Sequence, residues 1–180
     1  MLKSITSSLF ILFFTATIHA QSTPSAEQVI HVAMQRAGQE HKKVFIIFHA
    51  SWCGWCRRMD SLMNSEACKA LFDKNYVIEH LTVMESEGKK GLENPGANDL
   101  LKKLNGEGKG IPFWIIFDEK GGRLADCLMK PEDAKPDVTG DNTGCPSTEE
   151  EVAYFVKVLK KTSSLNASQL AVIEKAFWMK

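Results

Sequence analysis

The chain has 180 residues, 44% of them hydrophobic and 24% charged, and its formal net charge is zero. That is enough for one globular domain with decorations and not comfortably for two. No long block of a single charge sign occurs, so neither nucleic acid nor an anionic membrane surface is indicated as a partner.

The first twenty residues stand apart from the fold. Lys3 gives a positive start, Leu9 to Phe14 is a short apolar run, and Ile18-His19-Ala20 ends on a small residue before Gln21. This is the layout of a cleavable secretory signal peptide, with the domain following over residues 21–180. The apolar run is far short of the roughly 20 residues a spanning helix needs, so no stable membrane span is expected. No cysteine follows it that could carry a lipid anchor. Export places the protein in a periplasm or outside the cell.

Ser25 to Glu40 reads as an amphipathic helix, with Ser25 and Gln28 at capping-box spacing and Val29, Ile30, Ala33 and Ala37 on one face. Val44 to Phe48 reads as a buried strand. It leads into Trp52-Cys53-Gly54-Trp55-Cys56 and then a helix from Arg57 to Met63, with Met59 and Met63 as core. Asn64-Ser65 breaks this helix and caps a short one over Glu66–Phe72. Tyr76 to Val83 is a second strand. Residues 85–110 are mixed, with turn signals at Gly88, Gly91 and Asn94-Pro95-Gly96 around a short helix, Asp99–Leu104. Phe113–Asp118 and Arg123–Leu128 form a hairpin across Gly121-Gly122. Lys130 to Pro146 is irregular. Thr148 with Glu151 opens a helix, and Asn166 with Gln169 opens a last one reaching Trp178. The Asn166-Ala167-Ser168 triplet fits a glycosylation acceptor, but helix capping accounts for it better.

Cys53 and Cys56 lie at a strand-to-helix junction. There the unpaired N–H groups and the helix dipole favour a thiolate, the species that attacks disulfides. No second Cys-x-x-Cys and no spaced histidine pair accompanies them, so no metal site is read. Five cysteines in an exported chain leave one over. Cys127 and Cys145 are read as a structural disulfide closing a loop of about 19 residues, which contributes about 3 kcal/mol by chain entropy. Cys68 is then the odd one, read as a buried free thiol, and its pairing with Cys127 or Cys145 stays open. Arg57 and Arg58 read as a solvated helix face, and His49 as a packed residue at the strand end with a proton shuttle as the other reading.

At this point the chain resembles the thioredoxin superfamily. The residues that carry the resemblance are strand Val44–Phe48, Ala50-Ser51-Trp52-Cys53-Gly54-Trp55-Cys56, Gly110-Ile111-Pro112-Phe113 and the Gly121-Gly122 hairpin. It is most similar to exported thioredoxin-like proteins with a Trp-Cys-Gly-Trp-Cys motif. The match covers about residues 27–160 and leaves 165–180 as a C-terminal helical extension. It implies a three-layer α/β/α sandwich with a mixed central sheet and an extra C-terminal helix. It implies thiol–disulfide exchange with protein clients, run by Cys53 as exposed nucleophile and Cys56 as buried resolving thiol. Pro112 matches the family's cis-proline, and Trp52 its aromatic residue beside the nucleophile. Ile111, and Trp55 by adjacency alone, join them at the client surface. No cofactor beyond the cysteine pair, a redox donor or acceptor partner and a monomeric state complete the expectation. One position departs from the pattern: Ile47 stands where many thioredoxins bury an acid, leaving His49 and Glu85 as candidates to handle the proton. A binding module on the same scaffold and a redox-sensing protein are the alternative functions.

Overall fold

Central strands covered on both faces need apolar residues at every position rather than at alternate ones, and two runs of this chain meet that condition. In the computed structural model, which describes residues 23–131 and 140–178, these runs are strands β1 (Lys43–His49) and β3 (Phe113–Phe117). Val44–Phe48 and all of β3 are buried. With β2 (Tyr76–Thr82) and β4 (Arg123–Asp126) they form one sheet in the order β2-β1-β3-β4. β1 runs parallel to β2 and antiparallel to β3, and β3 pairs antiparallel with β4. The sheet is therefore mixed. The segment that carries the export pattern lies outside the described residues.

Helices cover both faces. α1 (Ala26–Glu40) packs on one side, where its Arg36 reaches Glu79 of β2 and Met34 approaches the Gly121 turn. α4 (Ala97–Lys103) shares that side, with Leu101 and Phe113 meeting beside Gly106. On the other side lie α2 (Gly54–Met63), α3 (Lys69–Asn75), α5 (Glu149–Thr162) and α6 (Ala167–Phe177). An aromatic cluster of Phe45, Phe72, Tyr76, Trp114, Phe155 and Phe177 joins them to the sheet. These three layers are the α/β/α sandwich that the resemblance implied, and α6 contributes Ile173 and Phe177 to its interior.

Ser25, Thr148 and Asn166 each cap their helix in a reciprocal box with Gln28, Glu151 and Gln169. Each box satisfies two N–H groups that a bare helix end leaves without partners. Other boundaries moved. The helix expected over Glu66–Phe72 begins at Lys69, because residues 65–68 form a turn in which the Ser65 carbonyl accepts the N–H groups of both Cys68 and Lys69. A 3-10 turn over Glu87–Leu92 and the short strand β6 (Asp141–Asn142) occupy stretches read as loop, while the hairpin strand expected over Arg123–Leu128 ends at Asp126 and Leu128 belongs to β5 (Leu128–Met129), which pairs with β6.

Candidate active site

The site is built where β1 ends and α2 begins. Cys53 is the N-cap residue of α2, and its Sγ accepts the Cys56 N–H at 3.1 Å. The sulfur thus faces the positive end of a helix and one of its open N–H groups, the two conditions that favour thiolate over thiol. Cys53 and Cys56 are joined as a disulfide. Cys53 was expected to be exposed, yet it is only 3% accessible, close to the 2% of Cys56. The cap geometry turns its side chain inward, where the pair packs with Ala50 and Ile111.

The loop that carries the nucleophile is tied to the end of β2. Glu85, 3% accessible, accepts hydrogen bonds from the Ser51 N–H at 2.5 Å and the Ser51 hydroxyl at 2.8 Å. The Ser51 N–H, the Ser51 hydroxyl and nearby Lys89 hold its carboxyl below the ordinary carboxylate range, against the opposing effect of burial. A carboxylate engaged on both oxygens and acidified in this way is a poor proton acceptor. Glu85 therefore anchors the loop, which sequence reasoning did not foresee. The neighbouring Met84 carbonyl accepts the Trp52 indole N–H at 2.8 Å. Met84 adopts φ 53°, a left-handed conformation that costs a non-glycine residue on the order of 1 kcal/mol.

Ile47 is buried, so no acid lies at that strand position. His49, two residues on and on the same face of β1, bonds Thr82 Oγ1 at 3.2 Å and packs at a tilt against His80, with ring centroids 4.9 Å apart. His80 in turn contacts Asp60 of α2 at 2.8 Å. Burial and then the charge of His80 hold the His49 imidazole below its ordinary range, against the opposing pull of Asp60 and Glu85. Such a histidine resists protonation when folded but not when unfolded. Its contribution is complete above the unfolded value of about 6.5 and is lost as pH falls from there through the folded value. Denaturant unfolding of wild type should thus show a larger loss of stability between about pH 7.5 and 5.5 than unfolding of His49→Gln, which keeps a polar group for Thr82. His80, Asp60 and Glu85 are present in both proteins, so an equal loss would place the sensitivity outside His49.

Across from the pair, the Ile111-Pro112 peptide is cis, and the Ile111 carbonyl oxygen lies 3.6 Å from Cys53 Sγ. Ile111 and Pro112 line an open cleft of about 230 Å³ together with Trp55, Asn142, Gly144 and Cys145. Trp52 and Trp55 are 55% and 49% accessible, large apolar surfaces flanking the cysteines. Of the residues named from the sequence, Trp55, Ile111, Pro112 and Cys145 line this cleft, Cys53 and Cys56 pack against Ile111, and Trp52 is bonded to the Met84 carbonyl. The structure adds Met84 and Asn142, which no local pattern marked because long-range hydrogen bonds place them, and it gives Glu85, read as a proton-handling candidate, an anchoring role instead.

The expected Cys127–Cys145 disulfide does not form. Both are free, buried thiols, as is Cys68 at the N-cap of α3. Cys127 Sγ faces the Trp114 N–H at 3.3 Å inside the sheet, whereas Cys145 lies on the cleft beside Arg58. Burial raises both thiols, Cys127 well above its ordinary value and Cys145 to about 11. Arg57 is exposed and folds back onto the Ser51 carbonyl at 2.9 Å. Arg58 departs from the expected solvated face. It is half-buried and reaches the Phe177 carbonyl at 3.4 Å, and its Nε is buried without a hydrogen-bond partner among the described residues. Among those residues no group of three His, Cys, Asp or Glu side chains is gathered as metal ligands would be. No helix among them is long and apolar enough to cross a membrane.

Among solved structures, a disulphide isomerase from Xylella fastidiosa Temecula1 is 20% identical over 64% of this chain and 80% of its own, with a TM-score of 0.46. A DsbH oxidoreductase is 22% identical over 86% and 94%, with a TM-score of 0.43. The oxidised C-terminal domain of Neisseria meningitidis DsbD is 18% identical over 78% and 98%, with a TM-score of 0.42. No curated protein matches the sequence. The profile of the thioredoxin-like family matches residues 25–119, a span that includes β1, the Cys53–Cys56 pair and Pro112. The chain belongs to the thioredoxin-like family.

Proposed function

We propose that this protein is an exported thiol–disulfide oxidoreductase that acts on protein clients through Cys53 and Cys56. The observation that carries the reading is the Cys53 sulfur at the N-terminus of α2, accepting the Cys56 N–H and lying 3.6 Å from the Ile111 carbonyl oxygen beside the cis-proline. In the reducing direction the Cys53 thiolate attacks a client disulfide. A Cys53–client bond forms, and the client's other sulfur leaves as a thiolate that takes up a proton. Cys56 then gives up its proton and attacks Cys53, which releases the second client thiolate and leaves the Cys53–Cys56 disulfide. The client has gained two electrons, and a dithiol donor restores the pair by the same exchange. With Ile47 at the strand position, the Cys56 proton needs another acceptor, and His49 is the candidate by its place on the same strand face.

The layout of residues 1–20 supports export, and the exposed Trp52 and Trp55 support polypeptide rather than small-molecule clients. The reading needs no cofactor besides the cysteine pair, and the protein acts as a monomer. Insulin reduction driven by dithiothreitol tests it: wild type should precipitate insulin faster than Cys53→Ser protein, which should match the reductant alone. Equal rates for the two would overturn the enzymatic reading in favour of a binding module.

A further inference from the structure

We propose that Asn142 is a positioning residue for protein clients. Its side-chain amide fixes the Gly110–Pro112 loop opposite Cys53, and the strap that carries it, Gly140–Ser147, forms with Trp55 the walls of the cleft that receives the client chain. The inference rests on the redox reading above and extends it to how the client is held.

The Lys109–Pro112 loop is bent, with Gly110 at φ 80° and a cis Ile111–Pro112 peptide, so its carbonyls do not all face one way. Asn142 Nδ2 donates to the Gly110 and Pro112 oxygens, both at 3.2 Å, and to the Lys109 oxygen at 3.0 Å. The Ile111 oxygen, between them, is the one facing Cys53 Sγ. One amide group has two hydrogens for three acceptors, so the bonds are shared, and the group is fully committed to this loop. Asn142 Oδ1 is engaged as well, accepting the Gly144 N–H at 2.8 Å. By holding one edge of the loop, Asn142 determines that the other edge is turned to the nucleophile.

The strap is itself secured on both sides of Asn142. Lys109 Nζ bonds the Gly140 carbonyl at 3.1 Å, and the Trp114 indole N–H bonds the Gly144 carbonyl at 2.9 Å. Asn142 also pairs with Leu128 across the β5–β6 ribbon. The charged groups that line the cleft are engaged in the same scaffold. Lys109 is held by Gly140, while Glu151 accepts from the N–H groups of Ser147 and Thr148 and from the Ser147 hydroxyl. What the cleft offers an incoming chain is Trp55, Ile111 and Pro112 on one side and strap backbone on the other. Its occupant is an extended, uncharged client segment around the half-cystine that Cys53 attacks. A small disulfide needs only the sulfur and not the walls.

Asn142→Asp tests this, because it keeps shape and the Gly144 acceptor but replaces the donor with a group that repels three carbonyls. Asn142→Ala is the second variant, in case the aspartate unsettles the strap. For insulin, KM should rise about tenfold with kcat within about twofold, a loss of about 1.4 kcal/mol of client binding. The single-turnover rate of the reduced variants with glutathione disulfide should stay within about twofold of wild type, since only the sulfur is engaged there. An unchanged KM for insulin, or an equal slowing of both substrates, would overturn the proposal. Amide hydrogen exchange over residues 108–113 of the oxidised proteins gives a readout that needs no turnover. Faster exchange in both variants, with global unfolding free energy retained, supports the positioning role, and unchanged protection overturns it. If wild type reduces neither disulfide, the redox reading fails on its own and the exchange result still decides the role of Asn142.

Discussion

Cys56→Ser protein should capture its client and fail to let it go. The replacement leaves Cys53 at the helix N-terminus with the residue 56 N–H still directed at its sulfur. The attack on a client disulfide therefore survives. A serine hydroxyl cannot resolve the resulting mixed disulfide, so turnover of insulin should fall by about 10³, equivalent to about 4 kcal/mol of barrier. A one-to-one covalent adduct should accumulate, visible by mass spectrometry and cleaved by dithiothreitol. Turnover within about tenfold of wild type would mean that another thiol resolves the adduct. Cys145 is the thiol on the same cleft, but burial raises it to about 11 and so keeps it protonated and unreactive at neutral pH. Cys68 and Cys127 are buried as well.

Trp114→Ala should be among the most damaging changes to the fold. Trp114 is fully buried between Phe45 and Phe155, with ring centroids 5.6 and 5.4 Å away. Its removal leaves a large cavity and should cost about 3–5 kcal/mol. That is a fifth or more of the about 5–15 kcal/mol that holds a typical domain folded. Trp114→Phe keeps most of the packing and loses the bond to the Gly144 carbonyl, at a cost of about 1 kcal/mol. Urea unfolding of the three proteins should rank them wild type, Phe, Ala by midpoint. A loss below about 1 kcal/mol for Trp114→Ala would show that the aromatic cluster collapses around the gap.

Much of this was legible because the deciding forces act over a few residues. The three capping boxes need only a polar residue and a Glu or Gln three positions on, and all three form as read. The central strands declare themselves as apolar runs, and the cysteine pair by its place between strand and helix. What was not legible depends on contacts between distant segments. Glu85 meets Ser51, Met84 meets Trp52, and Asn142 meets the loop before β3, none with any periodic signature. Asp141-Asn142 looks like turn sequence, and a two-residue strand carries no alternation to betray it. The misassigned Cys127–Cys145 bridge has the same origin: closeness in sequence says nothing of which way each sulfur points.

The reach of Arg58 to the carbonyl of Phe177 has a consequence for how the chain can be altered. A single hydrogen bond thus ties the helix that bears the reactive pair to the final turn of α6. Length added after that turn leaves the tie where it is, while a residue inserted or deleted between Ser163 and Phe177 moves the acceptor and breaks it.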